Sequence, residues 1–264
     1  MYAAKYHKVS SVADAVAALG GAEEPKVLAG GQTLLPTMKQ HLAAPSDLVD
    51  LGGVSDLVGI KIEGNHLVIG AMTTHAAVAS SDTVQKAIPA LACLAAGIGD
   101  PAVRHRGTIG GSVANNDPAA DYPSAVLALG ATVVTNNREI PADEFFAGMF
   151  STALEDGEII TAVKFPQPER AAYSKFPNPA SRYAMVGVFV AKTSGGVRVA
   201  VTGAGEDGVF RHDGLEAALA SDFSAAAVEG VSVSADGLMG DIHASAEYRA
   251  HLIKVMAKRA VAAA

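Results

Sequence analysis

Two glycine pairs hold the residues best suited to chemistry. Ala29-Gly30-Gly31-Gln32-Thr33 lies between a strand-like and a helix-like run, and Thr108-Ile109-Gly110-Gly111-Ser112 lies in a long glycine-rich stretch. Paired glycines let a backbone approach a ligand closely and present successive N–H donors. Thr33, Thr108 and Ser112 add hydroxyl donors. Two such loops suit the two phosphates of a dinucleotide without any lysine. Either loop alone reads as an ordinary turn; the two together, both flanked by hydroxyls, read as a clamp.

Ten residues beyond the second pair comes Asp121, whose carboxylate suits ribose hydroxyls. Asp117 with Pro118 reads as a helix N-cap and first helical residue. Arg104 and Arg106 read as solvated, as paired with nearby aspartates, or as steering an anionic ligand. Two further glycine clusters are decoys. Gly97-Ile98-Gly99-Asp100-Pro101-Ala102 fits a dinucleotide fingerprint by letter but follows a helix-like segment and opens no βαβ helix. Gly203-Ala204-Gly205-Glu206-Asp207-Gly208 follows a strand, but its two carboxylates would repel a pyrophosphate, so it reads as a turn.

Composition narrows the classes. The chain has 264 residues and a formal net charge of -7, with 50% hydrophobic and 18% charged residues. That is too apolar for disorder and too acidic for a nucleic-acid partner. The single cysteine, Cys93, forms no internal disulfide and holds no iron–sulfur cluster, which needs about four thiolates. No His-x-x-x-His or Cys-x-x-Cys pair suggests a metal. Redox chemistry here therefore calls for an organic cofactor. No signal-like or membrane-spanning run is visible, so a cytoplasmic location is expected.

The elements that must position these residues follow from periodicity. Residues 10–19 read as a helix capped by Ser10 or Ser11, and Lys26–Leu28 as a strand leading into a helical run over 34–42. Asp47–Leu51, Leu57–Ile62 and His66–Ile69 read as strands, the last two forming a hairpin around Gly64. Thr73 or Thr74 caps the next helix, and Pro89 divides the helical stretch 83–96. Residues 97–121, with five glycines, two prolines and three aspartates, show little periodicity and read as a long functional loop. A helix over 124–129 and strands over 131–135 and 158–165 follow. Pro166 and Pro168 mark the domain boundary, giving units 1–168 and 172–264. Beyond it come a hairpin around Ser194-Gly195-Gly196, alanine-rich helices, and a closing amphipathic helix with Tyr248, Leu252, Val255 and Arg259 on one face.

Four segments, AGGQTLLPTMKQHLAAPSDLVDL, RHRGTIGGSVANNDPAADYPSAVLALGA, KFPNPASRYAMVGV and DIHASAEYRAHLIKVMAKRAV, resemble the FAD-binding medium subunits of molybdenum hydroxylases. The resemblance is strongest to those of aerobic carbon monoxide dehydrogenases, and xanthine dehydrogenase carries the same module. It implies an α+β fold: a two-subdomain FAD module of the vanillyl-alcohol-oxidase (PCMH) type, then a small antiparallel sheet with helices. By the same resemblance, Ala29, Gly30, Gly31, Gln32 and Thr33, flanked by Leu28 and Leu34, would wrap the FAD diphosphate. Thr108, Ile109, Gly110 and Gly111 would form the second phosphate loop, with Ser112, Ala114 and Asn115 lining the cofactor. Asp121 would hold a ribose or ribityl hydroxyl, and Ile159 or Ile160 would contact the adenine or flavin region. Lys175 would sit near the flavin ring, and Tyr183 would stack on it. The first loop carries Gln32 and Thr33 where the family usually has histidine and serine, so FAD would be non-covalent.

The family also implies partners: an iron–sulfur small subunit with 2Fe-2S clusters and a molybdopterin large subunit, assembled as a dimer of heterotrimers. Electrons would enter from the iron–sulfur subunit and leave to a quinone or NAD, and a quinone acceptor would bring the complex to the inner membrane face. The substrate, CO, an N-heterocycle or an aldehyde, would react in the molybdenum subunit, leaving no catalytic acid, base or nucleophile here. A stand-alone flavin oxidoreductase and a non-catalytic accessory protein are the rival readings.

Overall fold

A computed structural model describes residues 1–264 as three larger sheets and one two-stranded sheet, Phe146–Gly148 with Ser151–Thr152, with helices between them. The first sheet is parallel, with Asp47–Asp50 between Lys5–Lys8 and Pro25–Leu28. The helix Val12–Gly20 makes one crossover, its first turn capped by Ser11, which accepts the Asp14 N–H. The second sheet is antiparallel in the order Ile60–Glu63, His66–Gly70, Ile160–Pro166, Thr132–Thr135, Glu139–Pro141. Helices His75–Ser80, Pro89–Ala96, Ile109–Asn115 and Tyr122–Ala128 bury their apolar faces with it in the largest core.

The third sheet runs Arg170–Pro177, Ala184–Thr193, Gly196–Gly205, Gly208–Arg211, all antiparallel. Its central strand reads as one apolar run because both faces are covered. Phe189 and Ala191 enter the largest core, while Val186, Val188 and Val190 enter a second core under the last helix, Ala246–Ala263. Each such side chain contributes about 1.5–3 kcal/mol by leaving water. This α+β arrangement is the fold the sequence predicts. No helix is long and apolar enough to cross a membrane.

Several local expectations are corrected. The stretch 97–121 is not irregular: it contains helices Pro101–Arg106 and Ile109–Asn115. Asp100 caps the first through the Val103 N–H, with Pro101 preset for the first turn, and Thr108 caps the second. A helix thus does open at Pro101, although no strand precedes it. Asp117 caps no helix; its carboxylate accepts the Ala119 N–H inside a turn, and the helix begins at Tyr122. The strand expected from Leu57 begins at Ile60, because Leu57 is a buried residue of a short 3-10 turn. The helix expected over 34–42 ends at Lys39. The closing helix is rotated from the predicted face: Leu252, Ile253, Met256 and Val261 are buried, while Tyr248 and Arg259 are exposed.

Candidate functional site

The first glycine loop leaves the strand Pro25–Leu28 and enters the helix Leu34–Lys39, turning at Gly31 with φ +72°. Only glycine adopts that conformation freely. Beneath the turn, Leu28 and Leu35 close on Gly31. The backbone N–H groups of Gly30 through Leu34 donate to no group of the protein, although their neighbour Leu35 bonds the Gly31 carbonyl. Gln32 folds its amide back onto the Gly30 carbonyl at 3.2 Å. Gln32 and Thr33 are exposed, and Leu34 is half-buried. A run of accessible, unspent N–H donors is an anion-binding surface.

The second loop spends its donors differently. Ile109 N–H bonds the Thr73 carbonyl at 3.1 Å and Gly110 N–H the Ala71 carbonyl at 2.8 Å. Thr108 Oγ1 accepts the Gly111 N–H at 3.2 Å. Ile109 is fully buried. The side that faces outward is formed by Gly111, Ser112, Ala114 and Asn115, which are half-buried or exposed.

The glycines serve a purpose the sequence reading misses: they let the two loops pack against each other. A Cβ on Gly30 would lie 2.1 Å from the Arg106 carbonyl oxygen and 2.7 Å from the Gly107 Cα. One on Gly110 would lie 2.5 Å from the Ala71 Cβ, and one on Gly111 would be 3.3 Å from the Ala29 Cβ. Where the loops meet, a cavity of about 160 Å³ opens, lined by Ala29, Gly30, Thr74, Thr108, His105 and Arg106 over an apolar floor of Leu51, Val58 and Met72. That volume suits a diphosphate-sized portion of a larger ligand, since whole-cofactor pockets run to several hundred Å³. Neither His105 nor Arg106 has a charged partner. Arg104 pairs with no aspartate either, and donates to the carbonyls of Ile98 and Gly99. Ile159 packs with Leu51 and Leu57 behind the cavity, and both its N–H and carbonyl are bonded to Asn136. Ile160 belongs to the largest core.

A second cluster joins Asp121 and Lys175, which lie far apart in sequence, with Tyr183 near enough to feel the Asp121 charge. Lys175 Nζ is 3.0 Å from Asp121 Oδ1 and also donates to the Gly97 carbonyl at 3.0 Å. The Tyr173 phenol donates to Asp121 Oδ1 at 2.5 Å. Burial pushes the Asp121 carboxyl up, while the Lys175 ammonium and the Tyr173 hydroxyl pull it back. Tyr183 is 45% exposed, and its hydroxyl is pushed up by burial and by Asp117 and Asp121. The turn dismissed as a decoy, at Gly97, therefore borders this cluster. Tyr173 was missed, yet Tyr-x-Lys in a strand places both side chains on one face, which is a usable signal.

His75 lies between the two clusters. Its ring stands where a Gly107 Cβ would come within 2.6 Å of Nε2, and it meets Tyr122, next to Asp121, at a tilt of 45° with ring centroids 5.3 Å apart. Burial, aided by Arg104, pushes His75 down to about 4, so it is neutral at physiological pH.

The chain as a whole is similar to known proteins. The family described as "FAD binding domain in molybdopterin dehydrogenase" matches residues 2–168, and the chain belongs to it. The carbon monoxide dehydrogenase medium chain of Hydrogenophaga pseudoflava is 36% identical over 276 residues, spanning 98% of this chain and 96% of that protein. The nicotine 6-hydroxylase medium subunit of Paenarthrobacter nicotinovorans is 36% identical over 272 residues, with 98% and 96% covered. The reconstituted CO dehydrogenase from Oligotropha carboxidovorans superposes with a TM-score of 0.91 at 34% identity, covering 98% of this chain and 96% of that one. The chain is thus an FAD-binding medium subunit of the molybdenum hydroxylase class and a subunit of an oxidoreductase.

Proposed function

We propose that this subunit binds FAD non-covalently across both clusters and relays electrons from an iron–sulfur subunit to an external acceptor. The observation that carries the reading is the run of unspent N–H donors from Gly30 to Leu34, which begins where Ala29 and Gly30 line a cavity together with Thr108 of the second loop. The diphosphate lies on those donors, with Thr108, Gly111 and Ser112 opposite and Ala114 and Asn115 flanking. Ile109 and Gly110 hold the second loop to the sheet, and Ile159, with Ile160 behind it, backs the cavity. Asp121 takes a ribose or ribityl hydroxyl, and Lys175 and Tyr183 face the flavin ring. Bound FAD supplies the capacity to take up two electrons and release them. The chain's own residues bind and orient it.

The partners are an iron–sulfur small subunit and a molybdopterin large subunit, assembled as a dimer of heterotrimers in the cytoplasm. The acceptor is a quinone or NAD, and a quinone would bring the complex to the inner membrane face. Relatives of similar identity carry names for CO and for nicotine oxidation, so the substrate is set by the molybdenum subunit rather than here.

The test is titration of the purified full chain with FAD and with riboflavin, read by flavin fluorescence. A diphosphate seat predicts one FAD per chain and at least a hundredfold weaker riboflavin binding, the worth of about two charge-assisted hydrogen bonds. Equal affinity for the two flavins, or no flavin binding, overturns the reading; the second result would favour an accessory protein. Reduction of the bound FAD by substrate only with the partner subunits supports the relay. Reduction in the isolated chain would instead indicate a stand-alone oxidoreductase.

A further inference from the structure

Tyr173 and Lys175 stand two residues apart on the strand Arg170–Pro177 and both reach Asp121, which is 5% exposed. The phenol bonds Oδ1 at 2.5 Å, and Lys175 Nζ lies 3.0 Å from Oδ1 and 3.1 Å from Oδ2. Room for the phenol comes from Gly187, which pairs with Lys175 across the sheet. A Cβ there would lie 2.3 Å from the Tyr173 hydroxyl and 2.9 Å from Thr202 Cγ2.

The turn carrying Asp121 is docked on the same sheet by other bonds. Thr202 Oγ1 lies 2.7 Å from the Ala120 carbonyl oxygen and 3.0 Å from that of Pro118, its one hydrogen shared between them, and Gly203 N–H donates to the Pro118 carbonyl at 2.8 Å. The phenol is therefore not needed to hold the turn. What it fixes is the rotation of the carboxylate, holding Oδ1 while Lys175 Nζ lies 3.1 Å from Oδ2.

We propose that Tyr173 is a positioning residue of the cofactor site, its phenol lodged in the gap left by Gly187 so that Asp121 meets FAD in one orientation. This rests on the reading of Asp121 as a cofactor contact. Lys175, Tyr173, Tyr183 and Asp117 are the charged and titratable groups around the carboxylate, with Tyr122 beside it and His75 beyond. Loss of the phenolic hydrogen bond removes one influence that favours the ionised form. The acid limb of FAD affinity must then move to higher pH.

The experiment measures FAD affinity of the full chain against pH, with thermal unfolding of the apo-protein. Tyr173→Phe should weaken FAD roughly tenfold near neutrality, the worth of one hydrogen bond to a charged group. It should move the acid limb upward and leave the unfolding temperature nearly unchanged. If Asp121→Asn leaves FAD affinity intact, the cofactor contact itself is wrong and the inference falls with it. If Asp121→Asn weakens FAD but Tyr173→Phe leaves affinity and acid limb in place, the positioning role alone is overturned. A large drop in unfolding temperature with no movement of the acid limb would make Tyr173 structural and also overturn it.

Discussion

Gly30→Ala is the sharpest perturbation of the proposed phosphate seat. The added methyl would lie 2.1 Å from the Arg106 carbonyl oxygen, a rigid backbone atom. Ordinary contact is about 3.5 Å, so the loops must part by more than ~1 Å. A hydrogen bond of about 2.9 Å does not survive that displacement. Losing two charge-assisted bonds to phosphate, at about 1.5–3 kcal/mol each, weakens FAD by roughly a hundredfold to ten-thousandfold. Overpacking adds about 1–3 kcal/mol of instability. Gly111→Ala is the internal comparison. Its methyl would meet Thr108 Oγ1 at 3.0 Å and the Ala29 Cβ at 3.3 Å, gaps that yield with shifts of a few tenths of an ångström. The expected loss there is about tenfold or less. Fluorescence titration of the apo-protein with FAD, alongside thermal unfolding, measures both effects. A Gly30→Ala chain that binds FAD within threefold of the parent would refute the argument that loop apposition builds the seat.

Two further outcomes follow from particular residues. His75 is pushed down to about 4 by burial, against about 6.5 in the unfolded chain, so only the unfolded chain takes up this proton as pH falls between those values. Its contribution to stability is complete above about pH 6.5 and declines by about 1.4 kcal/mol per pH unit down to about 4; urea unfolding of His75→Gln should show a shallower slope across that window, and an unchanged slope would contradict the assignment. The rejected fingerprint closes the hairpin between Gly196–Gly205 and Gly208–Arg211, so Glu206→Gln with Asp207→Asn should leave FAD affinity unchanged; a change beyond threefold would bring that turn back as a ligand site. Gly203→Val is unsuitable for that purpose, because φ is +79° and its Cβ would lie 2.3 Å from the Ala184 carbonyl oxygen.

The parts of the molecule legible in the sequence are those whose causes are local. Ser11 and Thr74 cap their helices, and Pro89 divides its helical stretch, because each acts within one turn. The hairpin at Ser194-Gly195-Gly196 is likewise set by its own turn. The 97–121 stretch was misread because its helices are six and seven residues long, too short to show a period. The face of the last helix was misread because Arg249, charged yet buried, belongs to the inner side. It donates to the carbonyls of Met185 and Gly203 and pairs with Asp241. A hydropathy pattern places such a residue outside.

The candidate site divides along the same line. Glycine pairs and hydroxyls announce the loops, since their composition departs from any regular element. Nothing in the composition announces that Gly30 must face Arg106, or that Asp121 must face Tyr173, because those contacts depend on how separate elements dock. The docking also explains why the two glycine loops are built differently. The second loop ties Ile109 and Gly110 to the edge of the central sheet and is therefore rigid. The first keeps its donors free, and Gly30 seats it on that rigid support. In the proposed reading one loop supplies the binding groups and the other fixes their position, so Gly30→Ala, which meets the Arg106 carbonyl oxygen, weakens binding by displacing the donor loop. The Asp121 cluster follows the same logic: the turn before the helix Tyr122–Ala128 supplies the carboxylate, and the strand Arg170–Pro177 supplies the phenol and ammonium that bond it. The proposed FAD site depends on these elements being docked, and FAD binding should in turn stabilise their apposition.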